Sequence, residues 1–296
     1  SGNSQSSYTG IGDLAVDQVE PIVSNISYTP DNTPGNGNEI NASTTTLTVD
    51  VTYSENMDQT VAPTIGFANP DLTATVLSVS SSGWQSATVY QVVYTVTDAN
   101  VSDASVDVSV TSGKDLSGNT QTGYSGIGDI QIDQVEPTID PVTIASNNAN
   151  TSFAKGGDVV TISLTSDENL SGVAVNSYTS GGSGVTNTPG TSGAGTSWSV
   201  TYNVDAGDPD GLIAFSIDNT DLAGNVTTVS GVTNGSSVTI DNTLPVVSIT
   251  APTAGTRVNY NVVTFSVTET NTNQTTASAD GATFVSYTSG DMANQL

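Results

Sequence analysis

Tyr124-Ser125-Gly126-Ile127-Gly128-Asp129, running on through Ile132-Asp133-Gln134-Val135-Glu136-Pro137, decides how this chain is organised. The same words stand 116 residues earlier, as Tyr8-Thr9-Gly10-Ile11-Gly12-Asp13 and Val16-Asp17-Gln18-Val19-Glu20-Pro21. A weaker third copy, Ile240-Asp241-Asn242-Thr243-Leu244-Pro245, follows 108 residues after the second. A period of 108–116 residues is the size of one β-sandwich domain and too long for the coil of a solenoid.

Shorter pairs keep the same register. Lys114-Asp115-Leu116-Ser117-Gly118-Asn119 matches Thr220-Asp221-Leu222-Ala223-Gly224-Asn225. Val51-Thr52-Tyr53-Ser54-Glu55-Asn56 matches Leu164-Thr165-Ser166-Asp167-Glu168-Asn169, each closing an alternating run. Ser1-Gly2-Asn3 aligns with Ser117-Gly118-Asn119, and Ser286–Gly290 with Ser177–Gly181. The expected organisation is therefore a window onto a longer array: 1–21 as the closing strand of one repeat, 22–137 and 138–245 as full repeats, 246–296 as the first half of another.

Within the first repeat, alternating apolar and polar residues predict strands over Pro21–Thr29, Thr45–Tyr53, Thr73–Ser80, Thr88–Thr97, Ser105–Thr111 and Asp129–Asp133. In the second they predict Val159–Thr165, Ser197–Val204, Leu212–Ile217 and Ser237–Asp241. Gly, Asn, Asp and Ser clusters separate them, and no segment has a helical period. The expected fold class is all-β: tandem immunoglobulin-like Greek-key sandwiches arranged as a rod.

Composition narrows the function. Three basic residues (Lys114, Lys155, Arg257) stand against 29 acidic ones, a net charge of −26. Binding nucleic acid needs cations to displace counterions, so nucleic acid is excluded as an expected partner, and an anionic membrane surface is disfavoured. No run approaches the ~18 apolar residues of a membrane helix. With no Cys there is no disulfide to argue from. An extracellular or cell-surface location rests instead on the repeats and on an acidic, Lys-poor, Ser/Thr/Asn-rich composition. With neither Cys nor His, the familiar nucleophile–base pairs are missing, and the chain is not expected to be an enzyme.

The carboxylates carry the remaining signal. In a sandwich of this kind the B–C and F–G loops share the pole where the chain comes in. That places Glu55 and Asp115 near the linker at Asp17, and Glu168 and Asp221 near Asp133. The E–F loop brings Asp98 and Asp103 towards the Asp133 linker, and the loop Asp205–Gly211 towards Asp241. Carboxylates converging without basic partners suit a hard divalent cation, and Ca²⁺ takes 6–8 oxygen ligands of this kind. The competing reading is turn chemistry, since Asp-x-x-Gly-Asn also makes Asx-turns. Among the aromatics, Tyr90, Tyr94, Trp198 and Tyr202 sit at repeat-related places and are expected in the core. Trp84, with no repeat counterpart, is expected to be the most available contact residue.

Tyr53-Ser54-Glu55-Asn56-Met57-Asp58, the Asp-Leu-x-Gly-Asn loops and the Ile-Asp-x-x-x-Pro linkers together resemble bacterial immunoglobulin-like (BIg) repeats of large adhesins, biofilm proteins and S-layer proteins. The resemblance covers essentially the whole chain. It implies structural Ca²⁺ at the inter-repeat junctions, which maps onto Asp133, Glu168 and Asp221. Repeat three departs, because Glu269 falls near but not on the place of Glu168. The function so implied is a stalk of a long secreted surface protein, with neighbouring repeats as partners and a glycan or host ligand at a distant tip. Two other readings stay open: homotypic assembly into a surface layer or filament, and a carbohydrate-binding or spacer module of a secreted enzyme.

Overall fold

The computed structural model describes residues 16–30, 39–251, 262–268 and 276–280. They are almost entirely β, in several antiparallel sheets, and the only helical turn among them is a 3₁₀ turn at Leu72–Ala74. The chain divides into two compact units, Ser1–Glu136 and Pro137–Leu296.

Among the described residues the first unit holds eight strands: β1 (Val23–Thr29), β2 (Thr46–Tyr53), β3 (Thr64–Ala68), β4 (Leu77–Trp84), β5 (Val89–Val96), β6 (Ser102–Thr111), β7 (Tyr124–Ser125) and β8 (Ile130–Asp133). One sheet has the order β1-β2-β5-β4; in the other, β6 pairs with β3, β7 and β8. The period of two in the sequence is the reason for the core. Leu47, Val49, Val51 and Tyr53 of β2 point inward, as do Tyr90, Val92, Tyr94 and Val96 of β5. They meet Val106, Val108 and Val110 of β6 and Ile130 and Ile132 of β8. Side chains of this size contribute about 1.5–3 kcal/mol each when fully buried.

The second unit repeats the plan with β9 (Ile139–Ser146), β10 (Phe153–Ala154), β11 (Val159–Ser166), β12 (Leu170–Ser180), β13 (Ser183–Gly184), β14 (Gly190–Ala194), β15 (Ser197–Asn203), β16 (Gly211–Asp221), β17 (Val226–Val229) and β18 (Thr239–Ile240). Its sheets run β14-β15-β11-β9 and β10-β18-β16-β12-β13, with β17 on the edge of β16. Three further strands, β19 (Val246–Ala251), β20 (Val262–Thr268) and β21 (Thr276–Asp280), form a small antiparallel sheet.

Two expectations are corrected. The strand expected at Thr73–Ser80 begins only at Leu77 and continues to Trp84. Asp71 caps a helical turn there, its carboxylate accepting from Thr73 N, which uses up the residues meant to start the strand. Trp84 is half-buried rather than exposed: its ring lies 5.7 Å from that of Tyr53 and 5.2 Å from that of Tyr90, and its Nε1 donates to Val61 O. The residues expected to complete a repeat at 1–15, and Glu269, lie outside the described residues.

Candidate metal centre

The two Asp-x-x-Gly-Asn loops fold alike. The Asp115 carboxylate accepts from Ser117 N and Asn119 N through Oδ1, and from Asn119 Nδ2 through Oδ2. Asp221 accepts from Gly224 N and Asn225 N through Oδ1, and from Asn225 Nδ2 through Oδ2. Gly118 and Gly224 take φ of 90° and 94°, a backbone shape that a side chain would strain. Both carboxylates are buried, while Leu116 and Leu222 project into solvent. Burial pushes the Asp115 carboxyl up, and the donors of Asn119, Ser117 and Gly118 more than reverse this, holding it below the usual carboxylate range. The turn-forming role of Asp-x-x-Gly-Asn is thus real, and it fixes the carboxylate in place.

Around Asp115 the first unit gathers two more carboxylates. Glu55 follows β2, and Asp17 lies in the segment that leads into β1. Ligand oxygens of Asp17, Glu55 and Asp115 lie within 4.8 Å of one another. Backbone and hydroxyl contacts hold the three segments together: Ser54 N donates to Ile22 O, Ile22 N to Ser54 Oγ, and Thr122 N to Pro21 O. Asn119 Nδ2 reaches Asp17 O, and Ser117 Oγ reaches Asp17 Oδ2. Burial, then the negative charges of Asp17 and Asp115, push the Glu55 carboxyl above its ordinary value. Two oxygens bound to one Ca²⁺ at ~2.4 Å can be no more than ~4.8 Å apart, so this spacing suits a shared calcium ion. Beneath the loop lies Met57, 1% exposed, whose backbone bridges to Asp115.

Every linker aspartate makes the same turn. Oδ1 of Asp17 accepts from Val19 N, that of Asp133 from Val135 N, and that of Asp241 from Thr243 N. Asp133, half-buried at the end of β8, belongs to the first unit, and Glu168 and Asp221 belong to the second. Asp98 and Asp103 close turns onto Asn100 N and Ser105 N, and neither joins an acidic group of this kind among the described residues. Asp241 is buried, its N–H donating to Ala154 O, and it joins no such group either.

Sequence reasoning missed the residue that follows two of the three linker aspartates, Asp133 and Asp241. Gln134 is fully buried: its Oε1 accepts from Ala99 N and its Nε2 donates to Thr97 O, tying down the β5–β6 connection. Asn242 does the corresponding work, donating from Nδ2 to Asp205 O and Asp208 O and accepting from Gly156 N. In that loop Asp208 accepts from Thr186 N, Asp205 N and, in a very short contact, the Tyr202 hydroxyl. Burial raises Asp208 and these donors overcome it, so its carboxyl lies below the usual range, while burial and Asp208 push the Tyr202 hydroxyl up to about 12. The signal available in sequence was Gln134 and Asn242 standing at one repeat position between an aspartate and a proline.

No protein-family model matches the chain, and no curated protein is detectably similar to it.

Proposed function

We propose that this chain is a run of immunoglobulin-like structural repeats from a secreted bacterial surface protein, calcium stiffening the places where one repeat passes into the next. The observation that carries the reading is the convergence of Asp17, Glu55 and Asp115, from three separate stretches of sequence, on the segment that leads into β1. Sheet order lends support: β1-β2-β5-β4 with β3-β6-β7 is the order ABED with CFG of an immunoglobulin-type sandwich. The sequence repeats the three carboxylates at Asp133, Glu168 and Asp221. A bound cation would convert mutual repulsion into a clamp between linker and domain and would stabilise the clamped state by mass action. The role is mechanical, not catalytic, and suits a stalk that carries a binding tip away from a cell.

Calcium titration of the chain by calorimetry tests it, run beside Glu55→Gln. The sign of the stability effect reverses with calcium. Because the Glu55 carboxyl is raised in the folded protein, its calcium-free contribution is full below the ordinary glutamate range and is lost as pH rises through the raised value. Glu55→Gln should therefore raise the melting temperature in chelator at pH 7 and lower it in calcium, with weaker binding. No calcium heat in the unsubstituted chain, with identical small-angle scattering in calcium and chelator, would leave the carboxylates as turn residues only.

A further inference from the structure

The most strongly repeated motif, Tyr124–Asp129, plays no part in the carboxylate cluster, and its counterpart in the second unit does something different. Residues 123–133 align without a gap on 231–241, so Tyr124, Gly128 and Asp129 replace Val232, Ser236 and Ser237. In the second unit this segment covers the outer edge of β9. Val142 N donates to Thr233 Oγ1, Ile144 N to Ser236 Oγ, and Thr233 N to Val142 O. In the first unit the segment turns away and fastens to β6. Tyr124 and Ser125 pair with Val110 and Ser109, Gly126 N donates to Val108 O, and Gly128 N to Asp107 Oδ1. Asp129 locks this course, accepting from Val108 N and from the Tyr124 hydroxyl. A side chain at 126 would run into the Asp129 carboxylate, so the glycine belongs to the same device.

The consequence, among the described residues, is an open strand edge. Ile26 and Tyr28 face Val51 and Val49 of β2 in the register in which Val142 and Ile144 face Leu164 and Ile162 of β11. Their N–H and C=O groups therefore point away from β2, as those of Val142 and Ile144 point away from β11. Where the second unit has its covering segment, the first has a cleft of about 290 Å³, lined by Val23 to Ile26, Tyr28, Tyr124 and Asp129. The buried Tyr28 hydroxyl beside it has no hydrogen-bond partner. Edge strands are ordinarily guarded by charge or proline. Val23-Ser24-Asn25-Ile26-Ser27-Tyr28-Thr29 has neither, in a chain of net charge −26; its one guard is a bulge between Val23 and Asn25.

We infer that β1 is a pairing edge for a second copy of this chain, joined antiparallel, β1 to β1, about a twofold axis at Ser27. Charge selects this occupant. Two chains this acidic repel over most of their surfaces, and β1 offers them an uncharged, self-complementary strand to meet along. With Ser27 facing Ser27 of the second copy, Ile26 of each copy lies opposite Tyr28 of the other, and the outward groups exchange ~4 backbone hydrogen bonds. The four-stranded sheet doubles across the axis, and the isologous contact closes at a dimer.

Sedimentation velocity of the full chain over a range of protein concentration and salt tests the pairing. A monomer–dimer equilibrium is expected, strengthening ~10-fold or more between about 0.02 M and 0.5 M salt as repulsion is screened. Ser27→Glu places two charges on the axis at an exposed position. Ile26→Pro removes an outward N–H that β2 does not use. Each should weaken association at least ~10-fold while the Trp84 fluorescence of the folded unit is retained. A chain monomeric at every salt, a dimer indifferent to either substitution, or growth into open-ended aggregates would each overturn the proposal.

Discussion

In the first unit the connection between β5 and β6 is held by a neutral amide, Gln134; in the second, the matching connection between β15 and β16 is built round the carboxylate of Asp208. Both satisfy backbone groups of part-buried loops, at some cost in buried polarity. An amide is cheaper to desolvate and indifferent to pH. A carboxylate makes stronger, charge-assisted hydrogen bonds and gathers more of them, but it ties the loop to its ionisation. The longer connection, spanning Asp205 to Asp210, uses the stronger hub and adds Asn242 as a second fastening. Equivalent loops in a repeat protein need share only the requirement that their backbone be satisfied.

One tryptophan in each unit, Trp84 and Trp198, lets denaturation of the two be read separately. The largest effect expected is from Asp208→Ala, which strands Thr186 N, Asp205 N and the Tyr202 hydroxyl: about 3 kcal/mol from the second unit's urea transition, with the Trp84 transition unmoved. If both transitions shift together, the units do not behave as separate loops with separate hubs. Gln134→Ala should cost the first unit about 2 kcal/mol and leave the Trp198 transition in place. The smallest effect sharpens the pH contrast. The Asp208 carboxyl lies below the usual range when folded, so its contribution is present above the unfolded aspartate value and is lost as pH falls through the lower folded value. Asp208→Asn should therefore reduce the acid dependence of the Trp198 transition below pH ~4 by about 1 kcal/mol, and the Trp84 transition should keep its own profile.

Strands buried on one face were legible because their alternation is complete: Thr46–Tyr53, Val89–Val96 and Val159–Ser166 fall within a residue or two of expectation. Thr64–Ala68, Leu170–Ser180 and Gly190–Ala194 were not, since they are rich in Gly, Ser, Thr and Ala and read as loop. Leu170–Ser180 is broken by two register shifts against β16, which spoils any simple period. Of the carboxylates, Asp17, Glu55 and Asp115 were legible because charged residues at loop ends stand out in a chain of short apolar runs. Gln134 and Asn242 were not, because nothing in an uncharged linker residue says that it turns inward. The fate of Tyr124–Asp129 was equally hidden, since all six of its residues differ from those at 232–237 and only a comparison of two folded copies shows that the two segments fasten to opposite sheets.

Met57 lies under the Asp115 loop at 1% exposure, with its backbone bridged to Asp115, and it is the only sulfur among the described residues. A thioether so placed meets peroxide only when the loop lifts. Its conversion to sulfoxide therefore keeps time for that opening, and the added mass on one peptide gives the first unit a chemical clock for how often its carboxylate loop lets go.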